Sequence, residues 1–292
     1  MKRMSVTGLC LMAVLCVAAV AAVSASAETF PSYKVCVKAA KVGKHYTGRY
    51  STKECSEVNA KDEGKYEREG ISRATKLGYA GKSGESVFDS YVEGAEGPVV
   101  VGTVSCKKST DTGEITGEAT ADQVTTFEGC SSSGASCTSA GAKAGEIVTN
   151  PVLTTLVTLK EETRTTPVVI GLDEAGTGGE EKDATAEFTC ATKTVTTTGS
   201  VLGVVTGDVG GAGKSQTDTF ALDEAGENEY EHVAGGVAHE HVLISTIKGV
   251  GAFDTAEEAT AEQKITGIII EPPPSEPCEC PCEPPHTGPA RC

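Results

Sequence analysis

Short runs rich in valine and threonine, set between clusters of Gly, Asp and Ser, recur along most of this 292-residue chain, and after the first 27 residues no helical periodicity competes with them. β-Branched side chains suit a pleated, half-buried surface, so each run reads as a strand. Candidate strands cover residues 33–39, 99–106, 114–119, 123–130, 146–149, 153–160, 167–172, 185–190, 193–198, 200–206, 217–222, 239–248 and 263–270. Parallel pairing would need helical crossovers between them, and the sequence offers none. The expected fold is all-β, an antiparallel β-sandwich or barrel. Only residues 56–75, 140–146 and 256–262 leave room for short helices.

With six Phe, seven Tyr and no Trp, the core must be built from Val, Ile, Leu and Ala. Such a core buries less area per side chain, which raises the importance of crosslinks. The organisation expected is a leader at 1–27, an N-terminal disulfide-linked segment at 28–96 packed on the rest, a main antiparallel β domain at 97–270, and a Pro/Cys-rich disordered tail at 271–292. Eight of the twelve prolines lie in that tail, which reads as polyproline-like chain outside the domain. The pentapeptide Leu172-Asp173-Glu174-Ala175-Gly176 returns as Leu222-Asp223-Glu224-Ala225-Gly226, and both copies read as hairpin exits.

Lys2 and Arg3 precede an uncharged run ending in Ala25-Ser26-Ala27, the pattern of a secretory signal peptide cleaved before Glu28. A secreted protein, extracellular or associated with the cell surface, is expected, with no stable membrane insertion once the leader is gone. Loss of Lys2 and Arg3 takes the net charge from −16 to −18. That field repels phosphate backbones, which argues against nucleic acid as a partner. The partners it leaves open are an extracellular protein, a carbohydrate or a divalent cation.

The leader holds Cys10 and Cys16, so ten of the twelve cysteines remain, and export favours disulfides over thiols. Strand phase places Cys106 with Val100 and Val104, and Cys190 with Ala186 and Phe188, so both point inward and are expected to pair. Cys36 shares a face with Lys34 and Lys38, which makes Cys55, across a glycine-containing loop, its natural partner. Cys130 and Cys137 enclose six residues and are expected to staple one loop. Cys278, Cys280, Cys282 and Cys292 form a separate population in the tail, read as disulfides of unassigned connectivity.

Three motifs invite chemistry. Asp111-Thr112-Gly113 has the tripeptide of aspartic-protease sites, but the polar Lys107–Thr110 flank and the lack of a second copy make it a turn. Gly210-Gly211-Ala212-Gly213-Lys214-Ser215 resembles a phosphate loop, yet Asp208 stands where its first glycine belongs, so it reads as a flexible loop. The best site candidate is a histidine cluster. His239 and His241 on one strand would share a face at a spacing fit for zinc or copper, with His232 or Glu231 assisting across the Gly235-Gly236 turn. No catalytic constellation and no cofactor-binding motif is legible.

Cys36, Gly43, Tyr46, Cys55, Gly64-Lys65-Tyr66-Glu67, Val104-Ser105-Cys106, Phe127-Glu128-Gly129-Cys130, Cys137-Thr138-Ser139-Ala140-Gly141, Gly145–Pro151 and Phe188-Thr189-Cys190 together resemble a family of uncharacterised secreted actinobacterial proteins. The resemblance covers roughly residues 33–205. It implies a secreted β-domain and brings no catalytic residues. The function expected is a non-catalytic extracellular protein with a structural or binding role. The alternatives are a metal-binding protein using the histidine cluster, or a hydrolase whose site carries no recognisable motif.

Overall fold

A computed structural model describes residues 31–71, 77–95, 97–159, 170–176, 183–207, 216–220, 232–234, 237–239, 242–264 and 267–271. The expected leader, the flexible loop expected at 210–215 and the Pro/Cys-rich residues beyond Glu271 lie outside the described residues. Strands β1 (Ser32–Lys38), β2 (Lys41–Val42), β3 (His45–Tyr46) and β4 (Tyr66–Gly70) precede the long β5 (Leu77–Gly94). Then come β6 (Gly97–Cys106), β7 (Lys108–Ile115), β8 (Thr120–Glu128), β9 (Ser131–Ser132), β10 (Ala135–Thr138), β11 (Glu146–Val148) and β12 (Val152–Thr158). The chain continues through β13 (Ile170–Gly176), β14 (Ala184–Cys190), β15 (Lys193–Gly207), β16 (Gln216–Phe220), β17 (His232–Ala234), β18 (Val237–His239), β19 (Leu243–Ile247), β20 (Gly251–Lys264) and β21 (Ile268–Glu271).

The main strands pair antiparallel in chain order, and the last returns to the first. One ring runs β5–β7–β8–β12–β13–β15–β16–β20 and back to β5. A second ring, further along the same axis, runs β5–β6–β9–β10–β14–β15–β19–β20 and back to β5. Because β5, β15 and β20 belong to both, the rings are two levels of one tall, closed, up-and-down β-barrel. The fold is thus all-β and antiparallel, and closure decides for a barrel over a sandwich.

Side chains alternate as a barrel wall requires. On β8, Ala121, Gln123, Thr125 and Phe127 are buried while Asp122 is exposed. Outward positions carry Lys82, Glu187, Glu258 and Glu262, and Lys82 lies 3.8 Å from Glu262 across the β5–β20 seam. Charged side chains at these positions are unlike the apolar band of a lipid-facing barrel, although Val99, Val100 and Val101 on β6 are exposed. Among the described residues, no helix is long and apolar enough to cross a membrane.

A three-stranded sheet, β21–β1–β4, closes one end. Tyr33 donates its backbone N–H to the carbonyl of Glu118 in the β7–β8 turn at 2.6 Å. Tyr33, Ile71, Ile268 and Ile270 of this cap pack with Ile115, Leu156 and Val205 of the barrel in one buried cluster. Arg68 ties the cap to itself, bonding Glu271 at 3.0 Å and the Cys55 carbonyl at 3.0 Å, with its guanidinium 4.6 Å above the Tyr50 ring. Cys36 is bonded to Cys55 within the cap.

The other two disulfides correct the sequence reading. Cys106 is bonded to Cys130 and Cys137 to Cys190, so neither Cys106–Cys190 nor Cys130–Cys137 forms. Strand phase correctly turned Cys106 and Cys190 into the same buried cluster, but phase specifies a face and not a neighbour. The β9–β10 hairpin stands between their strands. Its two flanking cysteines therefore bond outward to β6 and β14 instead of to each other. Ladder pairing is thinnest here, one residue pair between β6 and β9 and two between β10 and β14, and the two bridges span that gap.

Three further expectations change. The boundary expected at residues 96/97 falls in the tip of the β5–β6 hairpin, and β21, at the end of the expected main domain, pairs with β1. The segments left open to helix hold β4, β11's first residue and the middle of β20. The strands expected at 193–198 and 200–206 are one, β15, bent at Gly199, whose φ of +94° an L side chain rarely adopts.

Candidate functional site

The barrel lumen is filled at the cap end and empty at the other. Toward the middle, buried polar groups pair with one another, although Gln216 Oε1 has no hydrogen-bond partner among the described residues. The Tyr79 hydroxyl donates to Gln123 Oε1 at 2.9 Å, Gln123 Nε2 to Thr125 at 3.2 Å, and Gln216 Nε2 to Asp218 at 3.0 Å. Asp111-Thr112-Gly113 lies inside β7 as part of this layer and not at a turn. Gly113 leaves room for the Tyr79 ring, which a Cβ there would meet at 2.2 Å. The phenol can therefore cross the strand and reach Gln123.

Above this layer the lumen opens into a cavity of about 510 Å³ that all eight positions around the barrel help to line. Its sequence cause is the size of the inward residues. Ser90, Thr125, Ala186, Thr197, Ser245 and Thr255 all face it, and side chains this small cannot meet across an eight-stranded barrel. Of the larger contributors, Phe88 and Phe127 pack edge to face with centroids 5.1 Å apart, against each other instead of into the open space. A volume of this order suits a small organic molecule. The hairpins β5–β6, β9–β10, β14–β15 and β19–β20 surround the mouth.

Among the described residues one acid lines the cavity. Glu257 on β20 is 8 % exposed, and its register partner on β5 is Phe88. On its other side the nearest described ladder partners are Phe220, opposite Ala259 on β16, and Leu243, opposite Thr255 on β19. No hydrogen bond or ion pair to its carboxyl is formed among the described residues. Burial pushes the carboxyl up from the ordinary 4.5 to about 7. The sequence gives little sign of this residue, since 256–262 reads as a polar stretch with room for a short helix.

The histidine cluster lies elsewhere. The backbone pairs His232 with His239 in register in the separate β17–β18 hairpin, while Glu231, Glu240 and His241 lie outside the described residues. Among the described residues, no group of three or more His, Cys, Asp or Glu is placed to hold a metal ion. The first Leu-Asp-Glu-Ala-Gly copy is not a hairpin exit but part of β13, paired on both sides with β12 and β15. The second copy lies outside the described residues.

No family model, no curated protein and no solved structure matches this chain.

Proposed function

We propose that the chain is a secreted, non-catalytic protein that binds one small, largely apolar molecule in its barrel lumen. The observation that carries this is the unfilled cavity of about 510 Å³, walled by Val, Phe, Ala, Ser and Thr and reached, among the described residues, by one acid. An interior that existed only for stability would be packed to crystal-like density, as the cap end is. Among the described lining residues there is no histidine, and the lining cysteine, Cys190, is held in a disulfide. Ser–His and Cys–His pairs therefore have no place among the described lining residues, which favours binding over hydrolysis. Three disulfides and charged side chains on the outer wall fit an extracellular setting.

Titration with the neutral fluorophore N-phenyl-1-naphthylamine tests the proposal. Saturable one-to-one enhancement is expected, and it should vanish in Ala186→Phe, which fills the lumen. An absence of saturable binding to the wild-type protein would overturn it.

A second reading has its own observation. His232 and His239 are Cα partners, and directly opposed residues of an antiparallel ladder lie about 5 Å apart, close enough to share a divalent cation. Zinc titration into wild type and a His232→Ala/His239→Ala variant measures it. Equal binding by both would remove that reading.

A further inference from the structure

We infer that the molecule held in the lumen carries a basic nitrogen, whose ammonium pairs with the Glu257 carboxylate while its apolar body lies against Phe88, Phe127 and the aliphatic wall. This rests on the reading of the lumen as a binding site. Glu257 is more than nine-tenths buried, lines the cavity and has no hydrogen-bond partner among the described residues. Buried polar groups in folded proteins are nearly always satisfied, and the open lumen beside Glu257 is where a ligand would satisfy this one.

The charge of that partner follows from the surroundings. The described groups that face Glu257 are Ser86, Phe88 and Ser90 from β5 and Leu243 and Ser245 from β19, none of them ionisable. Asp89, beside Phe88, accepts the Thr103 hydroxyl. The other charged residue of the lining, Lys193, is exposed at the mouth where β15 begins. A carboxylate ligand would meet an uncompensated acid inside a chain of net charge −16, and is disfavoured on both counts. A neutral ligand would leave the carboxylate's desolvation unrelieved. An ammonium relieves it through a charge-assisted hydrogen bond, and the Phe88 and Phe127 rings offer faces that favour a cation further.

The test uses three molecules that share one chain and differ at the head: n-decylamine, 1-decanol and decanoic acid. Each displaces N-phenyl-1-naphthylamine from the full-length protein at pH 8. Decylamine is expected to compete at concentrations at least about tenfold lower than decanol, the size of one charge-assisted bond, and decanoate to compete worst. In Glu257→Gln, amine and alcohol should come within about twofold of each other, the charged bond having been removed. A second measurement needs no variant. On wild type, the amine's advantage should fall about tenfold per pH unit below 7 as Glu257 takes up its proton, while decanol stays level. Decanol or decanoate binding as tightly as decylamine, or an amine advantage that ignores pH, would overturn the inference and leave the lumen reading standing. Failure of the fluorophore itself to bind would overturn both.

Discussion

At the cap end, the barrel encloses Tyr33, Ile115, Leu156, Val205 and Ile268 in contact with one another, whereas at the mouth β5, β15 and β20 enclose Phe88, Thr197, Ser245 and open space. Three strands run through both levels, so the backbone frame does not account for the difference. Side-chain volume does. At one end branched side chains and Tyr33 meet across the axis, and at the other the small Ser90, Thr125, Ala186, Thr197, Ser245 and Thr255 leave space between the larger lining residues unfilled. Both ends are packed and bridged, the cap by Cys36–Cys55 and the mouth by two disulfides, but at the mouth the bridges also span the few ladder bonds at β9 and β10.

The contrast can be broken most severely at those bridges. A Cys137→Ala/Cys190→Ala variant is expected to lose about 4 kcal/mol from the release of its loop. Denaturant unfolding gives the loss, and fluorophore binding should disappear with it. Next in size is Leu156→Ala, a fully buried position at the filled end, where about 3.5 kcal/mol should go by the same measurement.

Glu257 comes third, and its sign is fixed by linkage. Its folded-state value is raised from 4.5 to about 7, so its neutral form favours the folded state fully below 4.5, and that contribution is lost as pH rises to 7. Over that window stability should fall by about 3 kcal/mol through this group, and Glu257→Gln should flatten the fall. Unfolding midpoints at pH 4.5, 6 and 8 decide it. Smallest is Ser245→Ala in the cavity wall, expected to shift stability by less than about 1 kcal/mol because it borders space that is already empty. A loss there as large as at Leu156 would mean that the two ends are not different after all.

The antiparallel strands were legible because valine and threonine runs mark them directly, and β6, β8, β12 and β14 fall close to where composition puts them. β5 and β20 were not legible. Residues 77–94 are rich in Gly, Ser and charge, and 256–263 in Ala and Glu, so their strand character comes from pairing with each other at the seam. Local preference was overridden by long-range partners. The Cys106 and Cys190 errors have the same origin, since alternation along a strand carries no information about which strand lies beside it. The lumen was hidden for a related reason. Emptiness depends on the residues across the axis, and no single segment encodes it.

The seam has a kinetic meaning as well. Residues 80–91 must find residues 254–264, and Ser32 must find Glu271, before either barrel or cap is complete. Contacts so distant along the chain must meet the entropy of closing a very long loop before they return any stability, which places such topologies among the slow folders. A nascent chain lacking β20 would carry β5 as an open edge, with its backbone groups available to any other strand. Native structure is therefore expected to arrive late and nearly all at once, when the last strands emerge.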